Sequence, residues 1–476
     1  MRRGGCALGV LAGAAGLTPA LAADTSTPAR GGDGCASSIS AKGYAPDASI
    51  AEALPGRLGG FFGARKALAA HGFQFGLKYI GEVLSNVSGG EHRGTAYGGR
   101  LEMSLDVDFC KTLGVDGLSA HINAYQIHGR GLSAYYVGNF MPVSNIEATR
   151  ATRLFEAWIQ QDLFGGKASL RVGQIAADQE FLTSELSALF IHSTFGWPTL
   201  ATVNLPSGGP AYPLATPGAR LEIRPHDDFL VRAAIFNGDP AGPGGPFDNP
   251  DPQARNNNGL KFRLRDRPFV IAEAQGKYTI ADRPGTLKIG GWTHFGRFPD
   301  MRWGVNGLSL ADPASLGVAI NHRGNYGFYG VIDQQIDGWN LGDGKGIGVF
   351  ARALVSPSDR NPMSFYLDGG INFNGVLPGR ERDAFGIAVG YGRISGAVSG
   401  LDYDTAFFTG VHAPIRAAET VIEATYKWNV MQGWDIQPDF QYVIRPDGGV
   451  PDARDPLGVR RVGNAVVFGV RSTLQY

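Results

Sequence analysis

The chain reads as an all-β protein: a transmembrane antiparallel β-barrel of about sixteen strands, preceded by a short periplasmic helix. Three observations predict it. Stretches of roughly ten residues, enough for a tilted strand to cross a bilayer, alternate apolar and polar side chains along most of the chain. The connections between them are short and long by turns. The first residues form an export signal. Arg100–Phe109, RLEMSLDVDF, alternates most cleanly. Arg100, Glu102, Ser104, Asp106 and Asp108 share one face, and Leu101, Met103, Leu105, Val107 and Phe109 the other, because successive strand side chains point to opposite sides. A soluble sandwich buries the apolar face. A membrane barrel turns it to lipid and keeps the charges in a wet lumen.

The N-terminus fixes the compartment. Arg2 and Arg3 precede the apolar run Cys6–Leu17, and Ala20-Leu21-Ala22 is a small-residue cleavage site. Residues 1–22 are therefore expected to be a signal peptide. Residues 23–57, rich in Ala, Gly, Ser and Pro, form a flexible periplasmic leader. Residues 58–71 hold the short helix, Leu58–Ala70, with Gly72 past its end. The barrel takes 72–476. The chain has 43 basic and 43 acidic residues. Without Arg2 and Arg3 this leaves 41 against 43, and no charge bias calls for nucleic acid. No apolar run of ~18 residues follows the signal, which argues against a helical membrane protein. Once Cys6 leaves with the signal, Cys35 and Cys110 remain. They are either a disulfide, which the cell envelope permits, or two free thiols. Cys110 follows the Arg100–Phe109 strand in a turn expected on the leader's side of the membrane.

The strands follow in order. Phe73–Leu84 sets Phe73, Phe75, Leu77, Tyr79 and Val83 against Gln74, Lys78 and Glu82, and a turn is expected at Asn86–Gly90. Leu118–Tyr125 sets Leu118, Ala120, Ile122 and Ala124 against Ser119, His121, Asn123 and Tyr125. Arg153–Leu163 carries Glu156 and Gln160 on one face, but Arg153 has the wrong parity. Lys167–Asp178 loses its pattern after Gly173. Bulges or rim positions account for both. Later strands place Arg220, Glu222 and Arg224 on the polar face. Phe269–Tyr278 does so with Glu273, Ser364–Asn374 with Asp368, Val421–Val430 with Glu423, Asp435–Arg445 with Gln441, and the last strand with Arg471. Tyr426, Trp428, Tyr442 and Tyr476 suit interfacial girdles.

Short connections fall at Phe164–Lys167, Ala281–Gly285 and Gln432–Trp434. Long ones fall at Gly129–Arg150, Gln179–Thr216, Pro240–Asn257, Pro299–Asn325 and Ala397–Arg416. An even strand count puts both termini in the periplasm. Sixteen strands enclose more space than their own side chains fill, which leaves a channel. The connection at 179–216 is too apolar for a purely solvated excursion. Folding into the barrel would bury its apolar residues and narrow the pore.

Four stretches resemble the carbohydrate-selective porins of the OprB-like family: YIGEVLSNVSGG (Tyr79–Gly90), NLPSGGPAYPLATPGAR (Asn204–Arg220), SPSDRN (Ser356–Asn361) and PDFQYVIRPDGG (Pro438–Gly449). The likeness runs from about Leu58 to Tyr476, with Tyr476 where the family more usually ends in Phe. It implies a sixteen-stranded outer-membrane channel of a Gram-negative bacterium for passive diffusion of sugars into the periplasm, with an inward-folded third outer loop. The residues agree with uncharged cargo. The luminal faces carry both signs, whereas a one-sign ring selects ions. Arg forks donate and carboxylates accept, which matches hydroxyl groups. Arg100, Glu102, Glu156, Arg171, Glu180, Trp197, Tyr212, Arg220, Glu273 and Glu423 are the candidate constriction residues. Expected partners are sugars, outer-membrane lipid, and the outer-membrane assembly machinery, acting through the C-terminal strand. A homotrimer is the expected assembly.

No metal-ligand spacing, phosphate loop or Gly-x-Ser-x-Gly elbow occurs, so no catalytic residue, metal or cofactor is assigned. The alternatives are a general or ion-preferring porin of the same fold, an outer-membrane barrel enzyme, and a secreted glycan-binding β-protein.

Overall fold

The computed structural model describes residues 49–50, 63–337 and 345–476. The expected signal peptide, most of the leader with Cys35, and the first part of the expected helix lie outside the described residues. A helix, α1 (Ala64–Ala70), ends at His71, and Gly72 takes the left-handed conformation beyond it. Arg65 of α1 lies over the ring of Tyr476, at 4.9 Å.

Among the described residues, sixteen strands form one closed antiparallel barrel. The first hairpins are β1 (Phe73–Gly90) with β2 (Gly94–Asp108), β3 (Leu118–Gly129) with β4 (Ala151–Leu163), β5 (Ala168–Ile175) with β6 (Thr216–His226), and β7 (Phe229–Phe236) with β8 (Phe269–Ile280). The rest are β9 (Arg283–Gly304) with β10 (Ala319–Asp337), β11 (Gly346–Val355) with β12 (Met363–Asn374), β13 (Ala384–Ile394) with β14 (Ala418–Met431), and β15 (Trp434–Ile444) with β16 (Gly463–Gln475). β16 pairs with β1 from Lys78↔Gln475 to Gly90↔Gly463. Closure is what a bilayer requires, because an open edge would leave backbone N–H and C=O groups without partners in hydrocarbon.

The two faces are inverted relative to a soluble protein. On β5, Leu170 and Val172 are exposed while Ser169 and Arg171 are buried. On β16, Phe468 and Val470 are exposed while Arg471 and Thr473 are buried. β14 hides Glu423 and Thr425 and shows Trp428. Apolar side chains face outward and charged ones inward, the pattern of a barrel solvated by lipid.

Several local expectations are corrected. β1 continues through Asn86–Gly90 with two register shifts, and its turn falls at 91–93. Gly89 and Gly90 have positive φ, so they bend the strand end rather than close a hairpin. Between Ile122↔Ala157 and Ala124↔Leu154, β4 carries one residue more than β3. This bulge explains the parity of Arg153: Arg153, Phe155 and Glu156 are all buried. The long connection expected at Pro299–Asn325 is shorter, spanning 305–318, because β9 and β10 extend over 22 and 19 residues. The connection expected at Pro240–Asn257 is longer, spanning 237–268. A second helix, α2 (Phe109–Leu113), fills the turn after β2. It buries Cys110, which is disulfide-bonded.

Candidate functional site

The inserted loop spans 176–215 between β5 and β6, three residues earlier at its start than the sequence suggests. Its apolar side chains, among them Phe181, Leu182, Phe190, Phe195 and Leu200, are fully buried and join one cluster with inward residues of the wall. Its short helix, α3 (Thr199–Asn204), sits beside β12, where Asn204 Nδ2 donates to the Met363 carbonyl at 2.8 Å.

Polar wall residues hold the loop's backbone in sequence. Glu180 accepts from Arg171 at 2.8 Å and from Arg220 at 2.7 Å. Glu273 on β8 accepts from the Leu182 amide at 3.1 Å, and Lys288 on β9 donates to the Thr183 carbonyl at 2.7 Å. Asp333 on β10 accepts from the Glu185 amide at 3.2 Å. Arg352 on β11 donates to the carbonyls of Leu182, Thr194 and Gly196, and pairs with Asp368. Gln437 on β15 donates to the Leu189 carbonyl at 2.8 Å. Glu423 on β14 receives the amides of Ile191 and His192 at 2.6 and 3.0 Å. A loop buried in a barrel must find partners for its backbone groups, and the inward charges supply them. His192 adds no charge, because burial pushes its imidazole down to about 3.

The loop 130–150 is fastened in the same way near the outer end. Glu419 accepts the amides of Phe140 and Met141, both at 3.1 Å, and Gln441 donates to the Val143 carbonyl at 2.9 Å. Glu147 accepts from the amide and hydroxyl of Ser133. Burial raises the Glu147 carboxyl to about 7, against those two hydrogen bonds.

The inserted loop therefore lies along the β6–β15 side. The inward face of β1–β5 keeps more exposure. Arg100 and Glu102 on β2 have side chains 14% and 23% exposed, with a nitrogen–oxygen separation of 3.6 Å. The Arg100 guanidinium lies over Tyr125 at 4.7 Å and Tyr212 at 5.1 Å. Asn123 donates to Glu102 at 3.2 Å, and His121 meets Asp106 at 2.7 Å. Trp158 stacks on His121, with centroids 5.2 Å apart, and Arg171 covers the indole at 3.7 Å.

Seven of the ten candidate residues fall into two groups. Arg100, Glu102 and Tyr212 come together on the open side. Glu156, Arg171, Glu180 and Arg220 meet where the loop enters: Glu156 accepts the Ala176 amide at 2.9 Å, and Arg171 and Arg220 share Glu180. Glu273 and Glu423 stand apart from both groups and are fully buried; Glu273 turns one oxygen to the loop and Glu423 both. Trp197 packs half-buried against the apolar cluster, and neither its N–H nor that of Trp158 has a partner among the described residues. Trp158 and Tyr125 were missed, although both lie on the polar parity of their strands. Ranking only charged residues on that parity passed over its aromatics. No cluster of metal-ligating side chains occurs among the described residues.

Comparison with known proteins agrees with the fold. The chain is 22% identical over 467 residues to Porin B of Pseudomonas aeruginosa, covering 92% of this chain and 96% of that one. The high-pH structure of Pseudomonas putida OprB superposes with a TM-score of 0.75 at 21% identity, over 88% of this chain and 97% of that one. The low-pH structure of the same protein gives 0.52 at 16% identity over the same shares. The family described as carbohydrate-selective porin, OprB family, matches residues 92–476, and the chain belongs to that family.

Proposed function

We propose that the protein is an outer-membrane porin through which uncharged sugars diffuse passively into the periplasm of a Gram-negative bacterium. The observation that carries this reading is the open luminal face of β1–β5. It sets a guanidinium over two tyrosine rings that touch each other, a carboxylate beside it, and an indole on β4. Both charge signs are present within a few ångströms, so hydroxyl groups meet donors and acceptors while net potential stays small. Tyr212 and Trp158 keep part of their surface exposed, so their ring edges can meet the apolar side of a sugar ring. Trp197 is a further candidate from the loop. Glu180, Glu273, Glu423, Arg171, Arg220 and Glu156 shape the constriction through the loop they hold. Membership of a porin family marks the chain as a channel, and no residue is given a catalytic role.

Liposome swelling tests this reading. Neutral monosaccharides should enter faster than amino-acid zwitterions or dicarboxylates of similar size. Equal rates for all of them would favour a general porin. Three finer points accompany the proposal: a homotrimer, which cross-linking would capture as one species; recognition of β16 by the assembly machinery; and a bridge from Cys110 to Cys35. Labelling of denatured, unreduced protein that found two free thiols would rule the bridge out.

A further inference from the structure

At the outer rim, above the seam where β1 meets β16, an open cleft of ≈ 310 Å³ separates the turn 91–93 from the loop 445–462. Its volume is at the lower end of the ~300–1,000 Å³ common for small-molecule sites. Four guanidinium groups line it: Arg93, Arg454, Arg460 and Arg461. The floor is glycine. A Cβ at Gly89 would stand 1.7 Å from the Asn464 carbonyl oxygen, so no side chain can rise there.

The charges in this cleft do not cancel. Two aspartates, and Glu91 beyond the lining, stand against four arginines, and both aspartates are engaged in shaping the loop. Asp452 is gripped by Arg454 through two contacts of 2.9 Å and also accepts the Arg454 amide. Asp455 accepts the amides of Val459 and Arg460 at 3.0 and 2.7 Å, and its carboxylate is 3.8 Å from the Arg460 side chain. Arg454 also reaches across the seam to the Gly90 carbonyl at 3.2 Å. Arg93 and Arg461 are exposed, and neither has an ion-pair partner among the described residues. Like charges held together around an open space cost free energy unless an anion enters. Nothing in the sugar pathway uses these groups.

We propose that this cleft binds a phosphoryl group. A phosphate offers several oxygens and more than one negative charge, and the planar forks of arginine engage such a group bidentately. Carboxylates carry half the charge and fewer acceptors, and so suit four guanidiniums less well. The height of the cleft points to the source. Below it, Val83, Val87, Phe468 and Val470 face outward and are exposed, as lipid-contacting residues are. Leu457 and Val459 are exposed in the same loop as three of the arginines. Cations just above an apolar wall, with apolar side chains among them, match a phosphate-bearing lipid headgroup of the outer leaflet. A phosphorylated solute arriving at the rim would present the same chemistry.

The test uses the full-length protein in detergent, titrated calorimetrically with four probes: lipid A carrying both phosphates, dephosphorylated lipid A, inorganic phosphate, and glucose 6-phosphate. The expected result is binding of the phosphorylated lipid, at least tenfold weaker in the double variant Arg93→Ala/Arg461→Ala and partly recovered in Arg93→Lys/Arg461→Lys. Binding should weaken with added salt. Block of channel current by neutral sugar should be the same in all variants, which also certifies that they fold. If inorganic phosphate and glucose 6-phosphate bind as tightly as the lipid, the site stands and its source is soluble. The proposal is overturned if dephosphorylated lipid binds as well as the phosphorylated form, if no phosphoryl probe binds, or if the double alanine variant binds like the parent.

Discussion

Single side chains in this lumen do one of two jobs, and exposure separates them. Glu423 is fully buried and spends both oxygens on the Ile191 and His192 amides. Glu423→Gln keeps the shape but offers one acceptor where two are needed. Leaving a buried amide without its acceptor costs about 1–3 kcal/mol, so the loop should loosen, with higher salt conductance and weaker sugar block. Unchanged conductance would mean that Glu423 does not hold the loop. Trp158→Ala removes a partly exposed ring whose N–H is unpaired. The sugar concentration giving half-block should rise several-fold, with salt conductance altered less than twofold. Glu147 supplies a pH dependence. Its carboxyl is raised to about 7 in the folded loop, from an ordinary 4.5. Between those values the unfolded segment has released a proton that the folded one keeps. Its stabilisation is therefore full below about 4.5 and is lost as pH rises towards 7. Hydrogen exchange of the Ser133 amide, corrected for intrinsic rate, should quicken from pH 5 to pH 8 in the parent. In Glu147→Gln the two pH values should agree.

At the scale of elements, the inserted loop has the most consequence. Arg352 ties three of its carbonyls to β11 and neutralises Asp368, and both side chains are fully buried. Arg352→Met would strand the Asp368 charge, a loss of about 3–5 kcal/mol for a broken buried pair. The expected outcome is lower thermal stability in detergent together with faster proteolysis within 176–215. A loop as resistant as the parent's would contradict the clamp. The strands themselves were legible because their period of two is strict: β12, β14 and β15 match their sequence limits within three residues, while β2 starts six residues earlier than its alternation. In β4 the wrong parity of Arg153 was itself the signal of the bulge. The outer-loop helix α4 (Gly396–Thr409) was not legible. Arg302 fixes it through Asp404 at 2.7 Å, a long-range contact with no local signature. The functional residues were half legible. Polar parity identified which residues face inward, but whether an inward carboxylate meets water or a loop amide depends on where 176–215 travels.

For the whole molecule, closure and inversion go together. Removing Ala465–Tyr476 deletes nearly all of β16 and exposes the paired edges of β1 and β15. Each orphaned backbone group in lipid costs several kcal/mol, of order, so the truncated chain should fail to insert; normal insertion and conductance would contradict a closed barrel. The central claim is that this barrel encloses a narrow, charge-balanced path whose walls bind sugar. Its most direct measurement is single-channel current in a planar bilayer, recorded in symmetric and asymmetric salt with a neutral sugar added stepwise. The account predicts small conductance, near-equal passage of cations and anions, and saturable block by the sugar. Strong ion selectivity with current indifferent to sugar would contradict it.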